Sequence, residues 1–189
     1  DDMMTTMVLM AKEHGVNIGA HPSYPDREHF GRRAMAMTPA EISETVAEQI
    51  LCLQNIADKN GCALSHVKPH GALYNTAVND PGVAAAIGAG VQSVNEHLPL
   101  VGMAEINMLT VWKKMGLESI GEGFADRTYE SDGSLRNREF NDALITDPEK
   151  AAHQAVHMAK NETFIAVDGT ELNIKVNTIC IHSDTPNAV

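Results

Sequence analysis

Short β-branched runs alternate with helical patterns along most of this chain, and that alternation constrains the fold more than any other feature. Each apolar run ends in polar residues and precedes a segment with helical periodicity. A strand, a helix and a further strand form the unit of a parallel sheet, because the helix returns the chain to the end where the next strand begins. The sequence therefore predicts an α/β fold in which helices cover a parallel sheet.

Capping signals locate the helices, and the strands are expected between them. TPAE at residues 38–41 has a threonine cap, a proline in the first turn and a glutamate three residues after the cap. Asp-Pro pairs at 80–81 and 147–148 predict two further helix starts. The ten methionines, including the four of the first helix, are expected to pack in the core, and a hairpin is expected near residues 168–169. The predicted parallel strands lie at residues 16–20, 64–67, 99–103, within 117–124 and at 178–181.

Length, charge and cysteine content narrow the class of protein to which this chain can belong. The length of 189 residues fits one domain, and no apolar run approaches the ~20 residues that a membrane helix needs. A net charge of −11 argues against nucleic acid or an anionic membrane as a partner. The three cysteines lie far apart, which is typical of a protein of the reducing cytoplasm.

Polar side chains follow several of the predicted strands. His21 follows the first strand, His70 the second, Glu122 and Asp126 the fourth, and His182 the last. Reactive residues at the ends of many strands are typical of a (β/α) barrel, whereas a doubly wound sheet concentrates them at one switch point. A (β/α) barrel is therefore favoured.

Two early segments carry basic residues at predicted strand ends. HPSYPDREHFGRRAM contains His21 and Arg32 on a long loop, where the arginine is either an anion ligand or a solvated surface residue. HVKPHGALYN brings Lys68 and His70 to one strand end, as a cation and a group that can carry protons, unless its proline and glycine only shape a turn.

Two later segments add carboxylates. EGFADRTYESDG supplies Glu122, Asp126 and Arg127, which suit proton transfer and carboxylate binding, although an Asp-Arg pair can also simply staple a loop. IHSDTP adds His182, and Asp184 is expected to cap a following helix. The chain contains no GxxxxGK[ST], GxGxxG, GxSxG or HExxH motif.

Four collinear segments resemble the signature segments of the LamB/YcsF family over essentially the whole chain. They are EHGVNIGAHPSYPDREHFGRRAM, HVKPHGALYN, FADRTYESDGSLRNRE and NTICIHSDTP. The resemblance implies a variant (β/α) barrel related to glycoside hydrolase and deacetylase folds. Family members carry an earlier strand with acidic and histidine motifs and a further C-terminal helix. Residues 1–189 are thus expected to be a single (β/α) barrel domain that lacks its N-terminal strand or strands and its C-terminal helix. GMAEIN and HSDTP also depart locally from the family pattern.

The resemblance further implies the A subunit of an ATP-dependent 5-oxoprolinase. Such an enzyme works with subunits B and C and opens 5-oxo-L-proline to L-glutamate. ATP, with or without Mg²⁺, is the expected cosubstrate, and no metal ligand set is assigned. From chemistry and motif position, the expected catalytic residues are Lys68, His70, Asp126 and Glu122, and the expected substrate-binding residues are His21, Arg32, Arg127 and His182.

Two other functions stay open from the sequence. A metal-dependent deacetylase or amidohydrolase would use the same histidines and carboxylates as metal ligands. A non-catalytic scaffold would only position the partner subunits. In the enzymatic interpretations, Lys68, His70, Asp126 and His182 are expected to face one pocket.

Overall fold

A computed structural model describes residues 2–183, 185 and 188. Asp184 lies outside the described residues, so its expected capping role stays a prediction. The strands are β1 Ile18–Ala20, β2 Leu64–Val67, β3 Leu100–Met103, β4 Ser119–Phe124, β5 Phe164–Ile165, β6 Glu171–Leu172 and β7 Thr178–Cys180. The helices are α1 Asp2–Glu13, α2 Pro39–Lys59, α3 Gly71–Asn79, α4 Pro81–Asn95, α5 Asn107–Lys114 and α6 Pro148–Ala159.

The chain forms two compact units. The first comprises Asp1–Gly102 and Ile106–Ser119, and the second comprises Met103–Glu105 and Ile120–Val189. The first unit contains β1, β2 and α1 to α5, and the second contains α6, β7 and the β5–β6 hairpin. The strands β3 and β4 belong partly to each unit. The expectation of a single domain stays a prediction.

The parallel strands are ordered as they occur in the chain, β1-β2-β3-β4-β7. In the first unit β1 pairs with β2 and β2 with β3, and Leu100 N donates to Glu118 O at 2.9 Å. In the second unit Ala104 N donates to Glu122 O at 3.0 Å, and β4 pairs with β7. A strand order without reversal is the winding of a (β/α) barrel and differs from that of a doubly wound sheet.

The parallel strands confirm the sequence prediction, with ends that differ by one or two residues at β1, β3 and β7. The capping signals at 38–41, 80–81 and 147–148 begin α2, α4 and α6, as predicted. The sequence did not predict α3, because its cap residue His70 makes no side-chain capping bond and its first residue is a glycine. The usual N-terminal signal of a helix is missing there.

Close packing of helices builds the core of the first unit. A Cβ atom on Gly90 of α4 would lie 2.6 Å from Ser43 O of α2, so the small residue lets the two helices approach closely. Trp112 of α5 is fully buried, and its ring N–H donates to Ala84 O of α4 at 2.8 Å. That bond satisfies the one polar atom of the largest core side chain.

The prediction that the methionines pack in the core holds for Met103, Met108 and Met158, which are buried, and was wrong for the methionines of α1. Met3, Met7 and Met10 are 80%, 60% and 49% exposed, whereas Val8 is buried. Only a narrow stripe of the helix surface, which includes Val8, faces the core, and the methionines lie on either side of that stripe. The strand β1, which follows this helix, is the first strand in the order of the described sheet. None of the described helices is long and apolar enough to cross a membrane.

Candidate functional site

The first group of candidate residues lies in the first unit, where β1 and β2 end side by side. His21 follows β1, and Lys68 and His70 follow β2. The backbone pairing continues beyond the strands, since Lys68 N donates to Ala20 O at 2.9 Å and His70 N to Pro22 O at 2.8 Å. The two histidines are therefore held next to each other by the register of a parallel ladder. We call His21, Lys68 and His70, with the Phe30 carbonyl, the His21–His70 cluster.

The loop of residues 21–33 lies against the start of α3. Ala72 N donates to Gly31 O at 2.9 Å, so the loop supplies a carbonyl to an otherwise unsatisfied helix N–H. Gly71 has φ +56°, and a Cβ atom there would lie 2.6 Å from Gly31 O. At this position only glycine avoids both the strained dihedral and the clash. The glycine of the HVKPHGALYN segment, Gly71, thus allows the loop that carries His21 and Arg32 to pack against the start of α3.

Hydrogen bonds join the two histidine rings in a chain between two backbone carbonyls. His21 Nδ1 lies 2.5 Å from Lys68 O, and His21 Nε2 lies 3.1 Å from His70 Nδ1. His70 Nε2 lies 2.8 Å from Phe30 O. The rings meet edge to face, with centroids 4.8 Å apart. All four ring nitrogens therefore face protein atoms.

This chain of contacts fixes the number of protons. Both terminal partners are carbonyl oxygens, which only accept, so His21 Nδ1 and His70 Nε2 must each carry a hydrogen. The contact between the rings needs a third hydrogen. Two neutral imidazoles carry two hydrogens in total, so the complete chain of three bonds has one extra proton and a charge of +1.

The His21 ring disfavours protonation. Desolvation, together with the charges of His70, Lys68 and His66, lowers the pKa of His21 to about 4, although the bond to the Lys68 carbonyl opposes the shift. His21 is therefore a neutral Nδ1–H tautomer near neutral pH. Lys68 adds a basic side chain beside the two rings on a chain of net charge −11.

Arg32 follows the docked segment of the same loop. Its guanidinium carbon lies 5.7 Å from the centroid of the Phe30 ring, a cation–π distance, and the Phe30 ring in turn contacts His70 edge to face. The structure thus connects Arg32 to the His21–His70 cluster through one aromatic side chain.

The second group of candidate residues lies in the second unit, where β4 and β7 end. Asp126 follows β4, and its carboxylate accepts from the backbone N–H of His182 at 2.9 Å, from His182 Nδ1 at 3.0 Å and from the Thr185 hydroxyl at 2.5 Å. The His182 ring stacks on Phe124, with centroids 5.6 Å apart and an interplanar angle of 14°. We call Asp126, His182 and Thr185 the Asp126–His182 cluster.

Hydrogen bonding keeps Asp126 ionised. Burial by itself raises the pKa of this 1% exposed residue, but the bonds from His182 and Thr185 outweigh burial and lower the pKa to about 2. A carboxylate only accepts, so His182 Nδ1 carries a hydrogen and the lone pair of the neutral ring lies on Nε2. An aspartate that orients a histidine in this way is the arrangement of a histidine base in hydrolases.

Neighbouring residues hold the segment around Asp126 in place. The Gln154 side chain of α6 donates to the Phe124 and Arg127 carbonyls, both at 2.8 Å. The Arg127 guanidinium donates to Ala143 O at 3.2 Å and to Arg136 O at 2.6 Å. Arg127 is buried, and its guanidinium donates to backbone carbonyls. In this structure it therefore stabilises the loop 127–145 and does not offer paired N–H donors to a ligand.

Glu122 lies inside β4 and not after it, which corrects the position expected from the sequence. Its side chain is 2% exposed, and its charge contributes to raising the pKa of the buried Tyr129, for which burial is the main cause. The Tyr129 hydroxyl accepts from Phe124 N at 2.8 Å. Glu122 and Tyr129 thus lie in the interior beneath the strand end that carries Asp126.

The structure brings together the predicted residues within each cluster. His21 is paired with His70 beside Lys68, and Asp126 with His182. The convergence of both clusters on one pocket stays a prediction. Thr185 and Gln154 were missed, because a hydroxyl next to an expected capping residue and a glutamine on an amphipathic helix carry no distinctive sequence signal.

The described residues contain no metal centre built from three or more protein ligands. Within residues 2–183, 185 and 188, no three His, Cys, Asp or Glu side chains come together as a group that could hold an ion. No step that depends on a resident metal is therefore assigned to either cluster.

The protonation of the His21–His70 cluster predicts a specific pH dependence. A histidine in the unfolded chain has a pKa near ~6.5, whereas that of folded His21 is lowered to about 4. Between these values the unfolded state binds the additional proton, so the contribution of His21 lowers stability as the pH falls from about 6.5 to about 4. His21→Gln removes this contribution to the pH dependence, which denaturant unfolding at several pH values measures.

His97→Gln, at an exposed residue, is the control. Equal pH dependence in His21→Gln and His97→Gln would contradict the assignment.

Comparisons with known proteins agree with the fold and with the order of the motifs. The model of the LamB/YcsF family matches residues 1–189. The A subunit of 5-oxoprolinase from Chloroflexus aggregans is 46% identical over 186 residues, which are 98% of this chain and 74% of that protein. The A subunit of 5-oxoprolinase from Staphylococcus carnosus is 43% identical over 189 residues, which are 100% of this chain and 75% of that protein.

A solved structure gives the same result. The crystal structure of a lactam utilization protein from Thermus thermophilus superimposes with a TM-score of 0.93 at 39% identity, and covers 98% of this chain and 75% of that one. This likeness and the parallel strand order confirm the predicted barrel-like (β/α) fold class. The chain belongs to the LamB/YcsF family.

Proposed function

We propose that this chain is the A subunit of a cytoplasmic 5-oxoprolinase that converts 5-oxo-L-proline to L-glutamate at the expense of ATP, together with subunits B and C. The observation that carries the proposal is the similarity, over nearly the whole chain, to proteins named as the A subunit of 5-oxoprolinase. The two clusters supply the kinds of groups that this reaction requires, a histidine base and an anion-binding site.

The substrate sets the chemical problem. 5-Oxo-L-proline is a lactam, and its amide carbon is a poor electrophile with a poor leaving group. Transfer of the terminal phosphoryl group of ATP to the lactam oxygen releases ADP and forms an activated imidate. Water then loses a proton and adds to the carbon, the C–N bond breaks, and the ring nitrogen takes up a proton. A second water converts the remaining acyl phosphate into L-glutamate and inorganic phosphate.

In this proposal His182 moves the proton of the attacking water. Its Nδ1–H is held by Asp126, so the lone pair on Nε2 accepts the proton, and the resulting imidazolium is stabilised by the adjacent carboxylate. Asp126 has a pKa of about 2 and does not itself exchange protons near neutral pH. Asp126 is thus a positioning residue, and His182 is the catalytic base.

The His21–His70 cluster holds an anion in the same proposal. Lys68 offers an ammonium group beside the histidine pair, whose four ring nitrogens already face protein atoms. The pair therefore shapes the site in this proposal and does not exchange protons with the substrate. The anion is a phosphoryl group or the carboxylate of 5-oxo-L-proline, and Arg32 on the docked loop adds a further cation.

Removal of the Lys68 charge is expected to slow turnover. Lys68→Met keeps the length of the side chain, and loss of one group that stabilises developing charge costs on the order of a hundred- to thousandfold in turnover. The measurement is glutamate release by the complex reconstituted from the three subunits, with assembly followed by size exclusion. Lys114→Met, at an exposed lysine near the end of α5, is the matched control and should leave turnover unchanged. Normal turnover of Lys68→Met in an intact complex would favour a scaffold role for this chain.

Asp126 and His182 are expected to act as one unit. Asp126→Asn and His182→Gln should each lower turnover by at least about a hundredfold, since general base catalysis contributes ~10²–10⁴-fold. The double variant should be no slower than His182→Gln alone, because a positioning residue has no effect without its partner. Thermal unfolding of each variant checks that the chain is folded. Multiplicative losses in the double variant would show that Asp126 acts independently of His182.

A further inference from the structure

A second pair of histidines lies on α6, apart from the residues of the proposed reaction. His153 and His157 are one helical turn apart, and their Nε2 atoms lie 3.1 Å from each other. The ring centroids are 4.1 Å apart, with an interplanar angle of 32°. Residues four apart share one face of a helix, so this approach follows from the backbone. The same nitrogen of each ring therefore takes part in the contact, on the exposed face of the helix.

That spacing matches two ligands of a single metal ion. Imidazole nitrogens bind Zn²⁺ at about 2.0–2.1 Å. Two such bonds place the nitrogens about 2.9 Å apart at an octahedral angle and about 3.4 Å apart at a tetrahedral angle. The observed 3.1 Å lies between these values. The separation of the two Nε2 atoms therefore already matches that of two nitrogens bound to one metal ion.

The surroundings of His157 prepare it to bind a cation. Its Nδ1 lies 2.7 Å from Thr163 O, a carbonyl that only accepts, so Nδ1 carries the hydrogen and the lone pair of the neutral ring is on Nε2. The Glu162 carboxylate lies 3.6 Å from the same Nδ1. Oxygen atoms that accept from the outer nitrogen orient metal-binding histidines and raise their basicity. His157 also lies in the last turn of α6, near the negative end of the helix dipole.

We propose that His153 and His157 form a two-histidine chelate site for a borderline transition-metal ion of the class of Zn²⁺, Ni²⁺ or Cu²⁺, with water in the remaining positions. Imidazole suits these ions, and hard oxygen-seeking ions such as Mg²⁺ and Ca²⁺ are disfavoured. The ion replaces the N–H···N contact between the rings, and the single hydrogen of the neutral His153 ring moves from Nε2 to Nδ1. This inference is independent of the proposed function.

Occupancy of the site is expected to stabilise the segment that carries Asp126. Gln154 lies in the same helical turn and donates to the Phe124 and Arg127 carbonyls on either side of Asp126. An ion that bridges residues 153 and 157 cross-links the helical turn from which Gln154 projects. The metal therefore strengthens the helix that holds the Asp126 loop.

The test is metal-dependent stability of the whole chain. Ni²⁺ and Zn²⁺, each at a free concentration about 100-fold above its Kd, are expected to raise the Tm of the wild type by about 5–10 °C. Isothermal titration gives the Kd and a stoichiometry of one, and Mg²⁺ is the negative control ion. Two-dimensional ¹⁵N NMR of the histidine rings should show Zn²⁺-dependent shifts confined to His153 and His157.

Variants assign the site. His153→Gln and His157→Gln should each weaken Ni²⁺ binding at least tenfold and abolish most of the Tm increase, whereas His97→Gln should keep both. Because His153 is exposed, its substitution should leave the metal-free chain folded. Ni²⁺ affinity in His153→Gln equal to that in His97→Gln would overturn the proposal. So would a wild-type Tm that does not respond to Ni²⁺ or Zn²⁺.

Discussion

A buried carboxylate that accepts three hydrogen bonds organises the candidate chemistry of this protein. Asp126 binds the backbone and ring of His182 and the hydroxyl of Thr185, so it ties the chain that follows β7 to the chain that follows β4. Without those donors a buried, ionised carboxylate would be costly. The same donors also fix the tautomer of His182. One interaction therefore both joins the strand ends and sets the tautomer that the proposed histidine base requires.

The supports of Asp126 are hydrogen bonds from side chains to the backbone around it. Gln154 of α6 binds the carbonyls on either side of it, and Arg127 turns away to hold the loop 127–145 by its carbonyls. A catalytic group needs such a rigid environment, because small displacements of a base reduce the rate strongly. In the first unit the glycines Gly31 and Gly71 have the corresponding role, since they let the loop that carries His21 and Arg32 dock on α3.

The sequence predicted the elements well because their signals are local. Caps at residues 38–41, 80–81 and 147–148 begin three helices, and the β-branched runs form the parallel strands. It also placed His21, Lys68, His70, Asp126 and His182 at strand ends. The failures have a different origin. Helix α3 lacks a capping side chain, and the exposure of Met3, Met7 and Met10 depends on which elements cover α1.

Roles within the site were harder to predict than positions. From the sequence, Asp126 and His70 were candidates for proton transfer and Arg127 for carboxylate binding. The structure shows Asp126 held as an acceptor, both nitrogens of His70 engaged and Arg127 bound to carbonyls. These features depend on hydrogen-bond partners that are distant in the chain, such as His182 for Asp126. Residue type and spacing define a candidate group, whereas its partners define what it can donate or accept.

The tautomer of His182 is the most direct test of this account. Two-dimensional ¹⁵N NMR of the histidine rings distinguishes a protonated nitrogen from a bare one. The neutral His182 ring is predicted to carry its hydrogen on Nδ1 and its lone pair on Nε2, and to lose this preference in Asp126→Asn. A wild-type ring with the hydrogen on Nε2, or the same tautomer in wild type and Asp126→Asn, would contradict the claim that Asp126 makes His182 a base.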